Sequence, residues 1–278
     1  MRKLKEYLNR PLSFVMFLLI IISTVITALT VVFIIGYIFI KGVPNLSLDL
    51  FSLKYSSSNQ SMLPSIINTV YLTALTLLLS VPIGIFSAIY LAEYSRKNSF
   101  FVKIINIANE TLSGIPSIVY GLFGFLAFVI SKKWGYSLLA GVITLAIMVL
   151  PLIIRTSQEA MLGADNTFRE ASYGLGAGKL RTVFKIVLPS AMPGILSGII
   201  LAIGRIVGET AALIYTAGTV PEAATKLTSS SRTISVHLYC LLNEGLYTEQ
   251  AYATAVVLIV FVVIINALSN ALAKKIMK

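Results

Sequence analysis

Charged residues punctuate this chain at intervals that a water-soluble fold could not accommodate. Thirty uncharged residues separate Arg10 from Lys41, and 38 separate Lys54 from Glu93. Gaps of 21 follow from Glu110 to Lys132 and from Lys133 to Arg155, and one of 24 runs from Glu249 to Lys274. A helix of about 20 apolar residues crosses about 30 Å of hydrocarbon, so each gap holds one span. A sixth apolar stretch, Ile186 to Pro221, is interrupted only by Arg205 and Glu209. The polar run Tyr55 to Gln60 trims the second gap. The pattern predicts an all-α integral membrane protein with six transmembrane helices, near 13–40, 66–92, 111–130, 135–154, 192–217 and 251–273. The first is longer than the 7–15 residues or so of a signal-peptide core, and it reads as a retained helix.

Composition excludes the main alternatives. Charged residues make up 12% of the 278 and hydrophobic residues 57%, where a soluble domain carries about 25% charged residues. A soluble enzyme, a disordered chain and a disulfide scaffold are all ruled out. The single cysteine, Cys240, forms no internal bridge. The single histidine, His237, rules out a multi-histidine metal site within the chain and reads as a polar loop or interface residue.

Six spans put both termini on one side. With cytoplasmic termini, the inner segments hold 15 lysines and arginines and the outer loops hold 6, with Arg205 inside a span. The positive-inside rule therefore predicts both termini cytoplasmic. The net charge of +11 reads as topology and contact with anionic lipid, not as a nucleic-acid surface, for which no soluble basic domain exists.

The one sizeable inner segment is Arg155–Pro189. Asp165 and Asn166 are good N-cap types for a short helix. The helix would turn at Gly174, Gly176 and Gly178, then resume as a basic amphipathic helix ending at Leu188-Pro189. Tyr173–Lys179 fails the spacing of a nucleotide-binding GxxxxGK[ST] loop, so any ATP sits on a partner. By shape, this helix–turn–helix fits a groove in another protein or rests on lipid headgroups. Its residues resemble the EAA signature of bacterial ABC importer permeases, E-A-A-x3-G-x9-I-x-L-P. Glu170, Ala171, Gly176, Ile186, Leu188 and Pro189 match, with Ser172 in place of the third alanine. The resemblance implies that Glu170, Ala171, Gly176, Leu188 and Pro189 belong to a coupling segment, 158–190, that docks on an ATP-binding subunit.

The second feature is Arg205-Ile-Val-Gly-Glu209-Thr210-Ala211 in the fifth span. An arginine near the midplane costs about 2.5–3.5 kcal/mol on insertion scales, and such residues mark solute paths. Glu209, four residues on, is expected on the same helix face, where a self-neutralising pair is the structural alternative. The stretch resembles the R-x2-G-E-T-A segment of A-type permease subunits of bacterial phosphate-specific ABC importers. Asn68-Thr-Val-Tyr, Val81-Pro-Ile-Gly84, Leu91-Ala-Glu-Tyr94 and Ser113–Gly121 are similar to that family too, so the likeness covers most of 60–273.

This resemblance implies a type I ABC importer permease fold. Residues 1–60 hold the tail, first span and first outer loop, 61–273 the transmembrane domain, and 274–278 a basic tail. It further implies a phosphate pathway through Arg205, Glu209 and Thr210, with no cofactor, metal or catalysis on this chain. The implied partners are a homologous sister permease, two cytoplasmic ATP-binding subunits and an extracytoplasmic phosphate-binding protein. The implied location is the cytoplasmic membrane of a bacterium or archaeon. Rival readings are a permease for another oxyanion or an ion-coupled secondary transporter. Gly114, Gly121 and Gly124 would allow close helix approach, and Pro82, Pro116 and Pro151 read as kinks.

Overall fold

The computed structural model describes residues 11–96 and 99–276. Arg2, Lys3, Lys5, Arg10, Lys97 and Lys278, six of the charges counted toward sidedness, lie outside the described residues. The described residues contain helices and loops and no strand. The long helices are α1 (Pro11–Gly42), α2 (Leu63–Ile89, extended by a π-helical turn over Tyr90–Tyr94) and α3 (Phe100–Gly114). There follow α4 (Ser117–Gly124, extended by a π-helical turn over Phe125–Ser131) and α5 (Leu138–Leu162). Then come α6 (Asn166–Gly174), α7 (Lys179–Thr182), a π-helical turn over Val183–Val187, and α8 (Leu188–Gly208). The last elements are α9 (Ala211–Thr216), α10 (Ile234–Glu244) and α11 (Thr248–Ile276).

Five helices are long and apolar enough to cross a membrane, and a bent pair makes a possible sixth. That pair corrects the expected third span. Residues 111–130 are not one helix: α3 and α4 meet at 101°. A proline pushes the residue before it out of helical geometry, and Ile115 is extended at φ −70°, ψ 130°. The Tyr120 hydroxyl donates to the Leu112 carbonyl at 2.8 Å and ties the two arms of the bend. Pro82 and Pro151, by contrast, lie inside unbroken α2 and α5.

The fifth span is also corrected at both ends. Leu188-Pro189 does not end the preceding helix; α7, the π-helical turn and α8 run on from Lys179 to Val207 as one apolar element. Proline lacks an N–H and crowds the carbonyl four residues back. The wider π-helical turn just ahead of Pro189 accommodates both defects. At the other end, the helix stops at Gly208 instead of running to 217. Glu209 is extended (φ −72°, ψ 126°) and the chain restarts as α9.

The core is where α2, α5, α8 and α9 meet. Leu72, Leu145, Met148, Ile153, Ile206 and Leu213 are buried there. Helix α4 lies close on α9: a Cβ on Gly121 would come within 2.8 Å of the Ala212 Cα, and one on Gly124 would collide with Thr144 and Thr216. Gly114 makes no such approach. The most apolar window of α1 buries nothing against the rest of the chain. Its helix is apolar all round, which in a lipid-facing element costs nothing.

Candidate functional site

Two neighbourhoods carry the residues singled out above. The first is the helix–turn–helix. Asp165 caps α6 by accepting the Thr167 N–H at 2.9 Å, and that bond holds its carboxyl below the usual carboxylate range. Helix α6 ends at a turn in which Gly176 has φ +79°. The Gly176 N–H donates to the Tyr173 carbonyl and the Ala177 N–H to that of Ser172. This closes the last helical turn with a left-handed residue, which glycine adopts without penalty. Ser172, the departure from the EAA pattern, is buried and bonds Thr182 hydroxyl to hydroxyl at 2.8 Å, across the two arms of the turn.

Glu170 and Ala171 are exposed on α6, and Pro189 is exposed and Leu188 half-buried at the start of α8. Leu175 at the turn is 89% exposed, with Phe168 and Leu180 also bare. A groove of about 420 Å³ runs beside them, lined by Phe168, Ala171, Leu175, Gly176, Arg181 and Ile186 among others. An apolar groove rimmed by basic residues suits a partner protein better than water.

Sequence reasoning missed what anchors this element. The Arg169 guanidinium donates from Nε and Nη2 to Glu93 Oε1 at 3.1 and 2.7 Å. It also donates to the Ala164 and Met161 carbonyls and to Asn166 Oδ1. Both charged side chains are mostly buried, 13% and 7% exposed. The Lys179 ammonium sits 4.9 Å from the centroid of Tyr94. The π-helical turn at the end of α2 therefore grips the helix–turn–helix twice. Glu93 and Arg169 lie 76 residues apart, beyond the reach of local spacing.

The second neighbourhood is the break after α8. Arg205 occupies the last turn of α8 and Glu209 the extended residue beyond it. The expectation that they share a helix face is therefore wrong. Among the described residues the ion pairs are Arg155–Glu159 and Arg169–Glu93, so Arg205 and Glu209 are not bonded to each other. Arg205 sits in the last turn of α8, whose C-terminus carries partial negative charge, and Glu209 precedes the N-terminus of α9. Glu209, 8% exposed, accepts the Ala212 N–H of α9 through Oε1 at 3.0 Å. Its main-chain carbonyl accepts from the Ser235 hydroxyl of α10 at 2.7 Å. The Thr210 hydroxyl makes a long 3.4 Å contact to the Gly208 carbonyl, and the residue's main-chain carbonyl accepts the Ile214 N–H at 3.1 Å.

Arg205 half-emerges into an open cavity of about 550 Å³, lined also by Ser197, Asn266, Leu152, Ile200 and Leu201. A forked cation, a hydroxyl and an amide converging on an apolar cavity can receive a small anion without a metal-type ligand set.

The segment beyond the break is fixed by α2. Asn68 donates to the Glu222 and Arg232 carbonyls at 2.9 and 3.2 Å and accepts the Ala224 N–H at 2.8 Å. Thr69 accepts the Ile234 N–H at 2.9 Å. His237, expected on a polar loop or at an interface, is fully buried in α10. Burial and the neighbouring Arg232 charge hold its imidazole down to a pKa of about 3, so it is neutral. The signal for Asn68 was available: a bare amide in an apolar helix needs partners.

Comparison with known proteins places these two neighbourhoods in context. Residues 80–278 match the family described as binding-protein-dependent transport system inner membrane component. A phosphate transport system permease protein PstA from Pasteurella multocida is 34% identical over 275 residues, covering 95% of this chain and 93% of that protein. A probable ABC transporter permease protein, YqgI, from Bacillus subtilis is 32% identical over 83% of this chain and 84% of its own length. Among solved structures, a chain of a bacterial ABC transporter that imports alginate superposes with a TM-score of 0.68 at 18% identity, covering 100% of both chains.

Proposed function

Since the chain belongs to the binding-protein-dependent transport system inner membrane component family, we propose that it passes inorganic phosphate through the cavity beside Arg205. It is a multi-span membrane permease subunit of an ABC importer, a transport component rather than an enzyme. The phosphate reading draws support from the phosphate permease at 34% identity over nearly the whole chain. The observation that carries it is Arg205: a permanent cation with no acidic partner among the described residues, at a helix break, facing a cavity with Ser197 and Asn266. A guanidinium fork matches two phosphate oxygens. A path must hold its ion weakly enough to release it, and one arginine with two neutral groups does that.

In this reading a homologous sister permease completes the path. Two ATP-binding subunits dock at the helix–turn–helix around Glu170, Ala171 and Gly176, and an extracytoplasmic phosphate-binding protein delivers the ion to the other end. The helix–turn–helix and both termini face the cytoplasm of a bacterial or archaeal cell. Glu209 holds the restart of α9 rather than the ion.

Phosphate uptake into vesicles tests this directly. Uptake is expected to need ATP, to survive an uncoupler, and to disappear in Arg205→Gln while the complex remains assembled by immunoblot. Competition by sulfate or phosphonate equal to that by phosphate would redirect the assignment to another oxyanion. Uptake abolished by an uncoupler at constant ATP would sink the ATP-driven reading altogether.

A further inference from the structure

Two buried arginines sit at opposite ends of α2, and they differ at one edge. Arg169 presents Nε and Nη2, the side-on fork of the guanidinium, to the Glu93 carboxylate. Arg232 is 4% exposed, and its Nε and Nη2 are buried with no oxygen or nitrogen acceptor among the described residues, the neighbouring Cys240 thiol being the one soft acceptor that the guanidinium meets. The flat face of that guanidinium is covered: its Cζ lies 4.8 Å from the centroid of Tyr55. A ring over the face does nothing for the edge. A buried cation without an acceptor is a costly arrangement, whereas a filled fork is a strong one. Beside it, His237 is fully buried, and neither Nδ1 nor Nε2 makes a well-formed hydrogen bond, the Gln60 backbone being the nearest polar group that acts on the ring. Two polar side chains, both more than nine-tenths buried, therefore leave donor capacity unused in one place.

We propose that the Nε/Nη2 edge of Arg232 binds a free tetrahedral oxyanion, with His237 contributing a neutral N–H. The fork spacing suits two oxygens of one ion. A free ion fits the setting better than a carboxylate carried on another protein. Tyr55, over the face of the guanidinium, is itself tied to the loop that leads to Gln60, whose amide oxygen accepts the Tyr55 hydroxyl at 2.8 Å. A small ion needs only a gap there, while a partner's side chain would have to displace the loop. The site adjoins the proposed path, because Ser235, three residues on, bonds the Glu209 carbonyl at the break. It is a staging position ahead of Arg205. Phosphate as the occupant rests on the functional reading above; the oxyanion class rests on the guanidinium alone.

Cys240 provides the reporter. It is the chain's one cysteine, is half-buried, and lies close enough to Arg232 for that charge to act on its thiol. The experiment measures alkylation of Cys240 by N-ethylmaleimide, located by mass spectrometry, in the assembled transporter without binding protein. Phosphate is titrated against chloride at matched ionic strength. Alkylation is expected to slow about fivefold at a phosphate concentration about four times Kd, as simple occupancy requires. The slowing should persist in Arg205→Gln, vanish in Arg232→Gln, and weaken in Arg232→Lys, which keeps the charge but loses the fork. No slowing in the unaltered protein, or slowing that persists in Arg232→Gln, would overturn the proposal. So would slowing by the binding protein alone, which would assign the edge to a protein carboxylate. Loss of phosphate uptake with intact protection in Arg205→Gln separates a failure of the path from a failure of this site.

Discussion

At one end of α2, Glu93 fills the fork of Arg169, and three further oxygens take its remaining N–H groups. At the other end, Asn68 and Thr69 hold the 222–234 segment through neutral hydrogen bonds, while Arg232 and His237 keep buried groups unpartnered. The same helix thus fastens one neighbour with a saturated charge network and the other with amides and hydroxyls. A saturated network moves as one piece, because separating its members exposes an uncompensated charge. The other end has donors to spare. An element that receives mechanical work from a partner needs the first kind of joint. An element that meets an ion needs the second.

The contrast can be broken most strongly at Glu93. Glu93→Ala leaves Arg169 buried without its carboxylate and is expected to cost about 3 kcal/mol, read as a lower midpoint in a detergent unfolding titration. Arg169 keeps its carbonyl partners, so the cost falls at the low end for a broken buried pair. A loss below 1 kcal/mol or so would mean that the two ends are held alike.

Acid should act on the opposite end. The His237 pKa is about 3 in the folded chain and 6.5 as an ordinary histidine, so between those values the unfolded state binds the extra proton. Stability is full above pH 6.5 or so and falls as the pH drops toward 3. Between pH 7 and pH 5 the loss is about 2 kcal/mol by linkage. Thermal unfolding at both pH values measures it, and His237→Phe should flatten the difference. Oxyanion binding beside His237 would shrink the loss, which sharpens the contrast further.

A smaller effect is expected at the glycine turn. Gly176→Ala forces a Cβ into φ +79° where no neighbour crowds it, so only the backbone penalty remains, about 1 kcal/mol. Assembly with the ATP-binding subunits, scored by pull-down, should survive Ala. The smallest effect is the coupling between Arg205 and Glu209. They share no bond, so a double-mutant cycle on stability with Arg205→Gln and Glu209→Gln should give under about 0.5 kcal/mol. A larger coupling would restore the ion pair that the helix break removes.

The spans were legible because a bilayer imposes one blunt rule on side chains, and the gaps between charges report it. The turn at Gly176 was legible for a similar reason, since a left-handed residue at a helix end favours glycine. The residues of the proposed path were only half legible. Arg205 announced itself as a cation in an apolar run, but its relation to Glu209 was read with helical spacing, and the helix is interrupted at Glu209 and Thr210. A break of two residues leaves no mark on apolar periodicity. The Pro189 misreading has the same origin, since a π-helical turn lets a helix run past a proline that pattern alone treats as a stop. Glu93, Arg169, Arg232 and His237 take their roles from contacts across the fold, which no local pattern encodes.

The run from Lys179 to Arg205 has one further consequence. Because the π-helical turn keeps Pro189 from interrupting it, the glycine turn and the path cation stand at two ends of a single rod. Twenty-six residue steps separate them, about 39 Å at helical rise. Tilting that rod by about 10° at the gripped end swings the far end sideways by about 7 Å, more than one helical pitch. If a partner docks at the glycine turn as proposed, no chain of intermediates is needed to carry its motion to Arg205. The molecule has a lever arm, pivoted where Arg169 and Lys179 are held, whose tip is a charge.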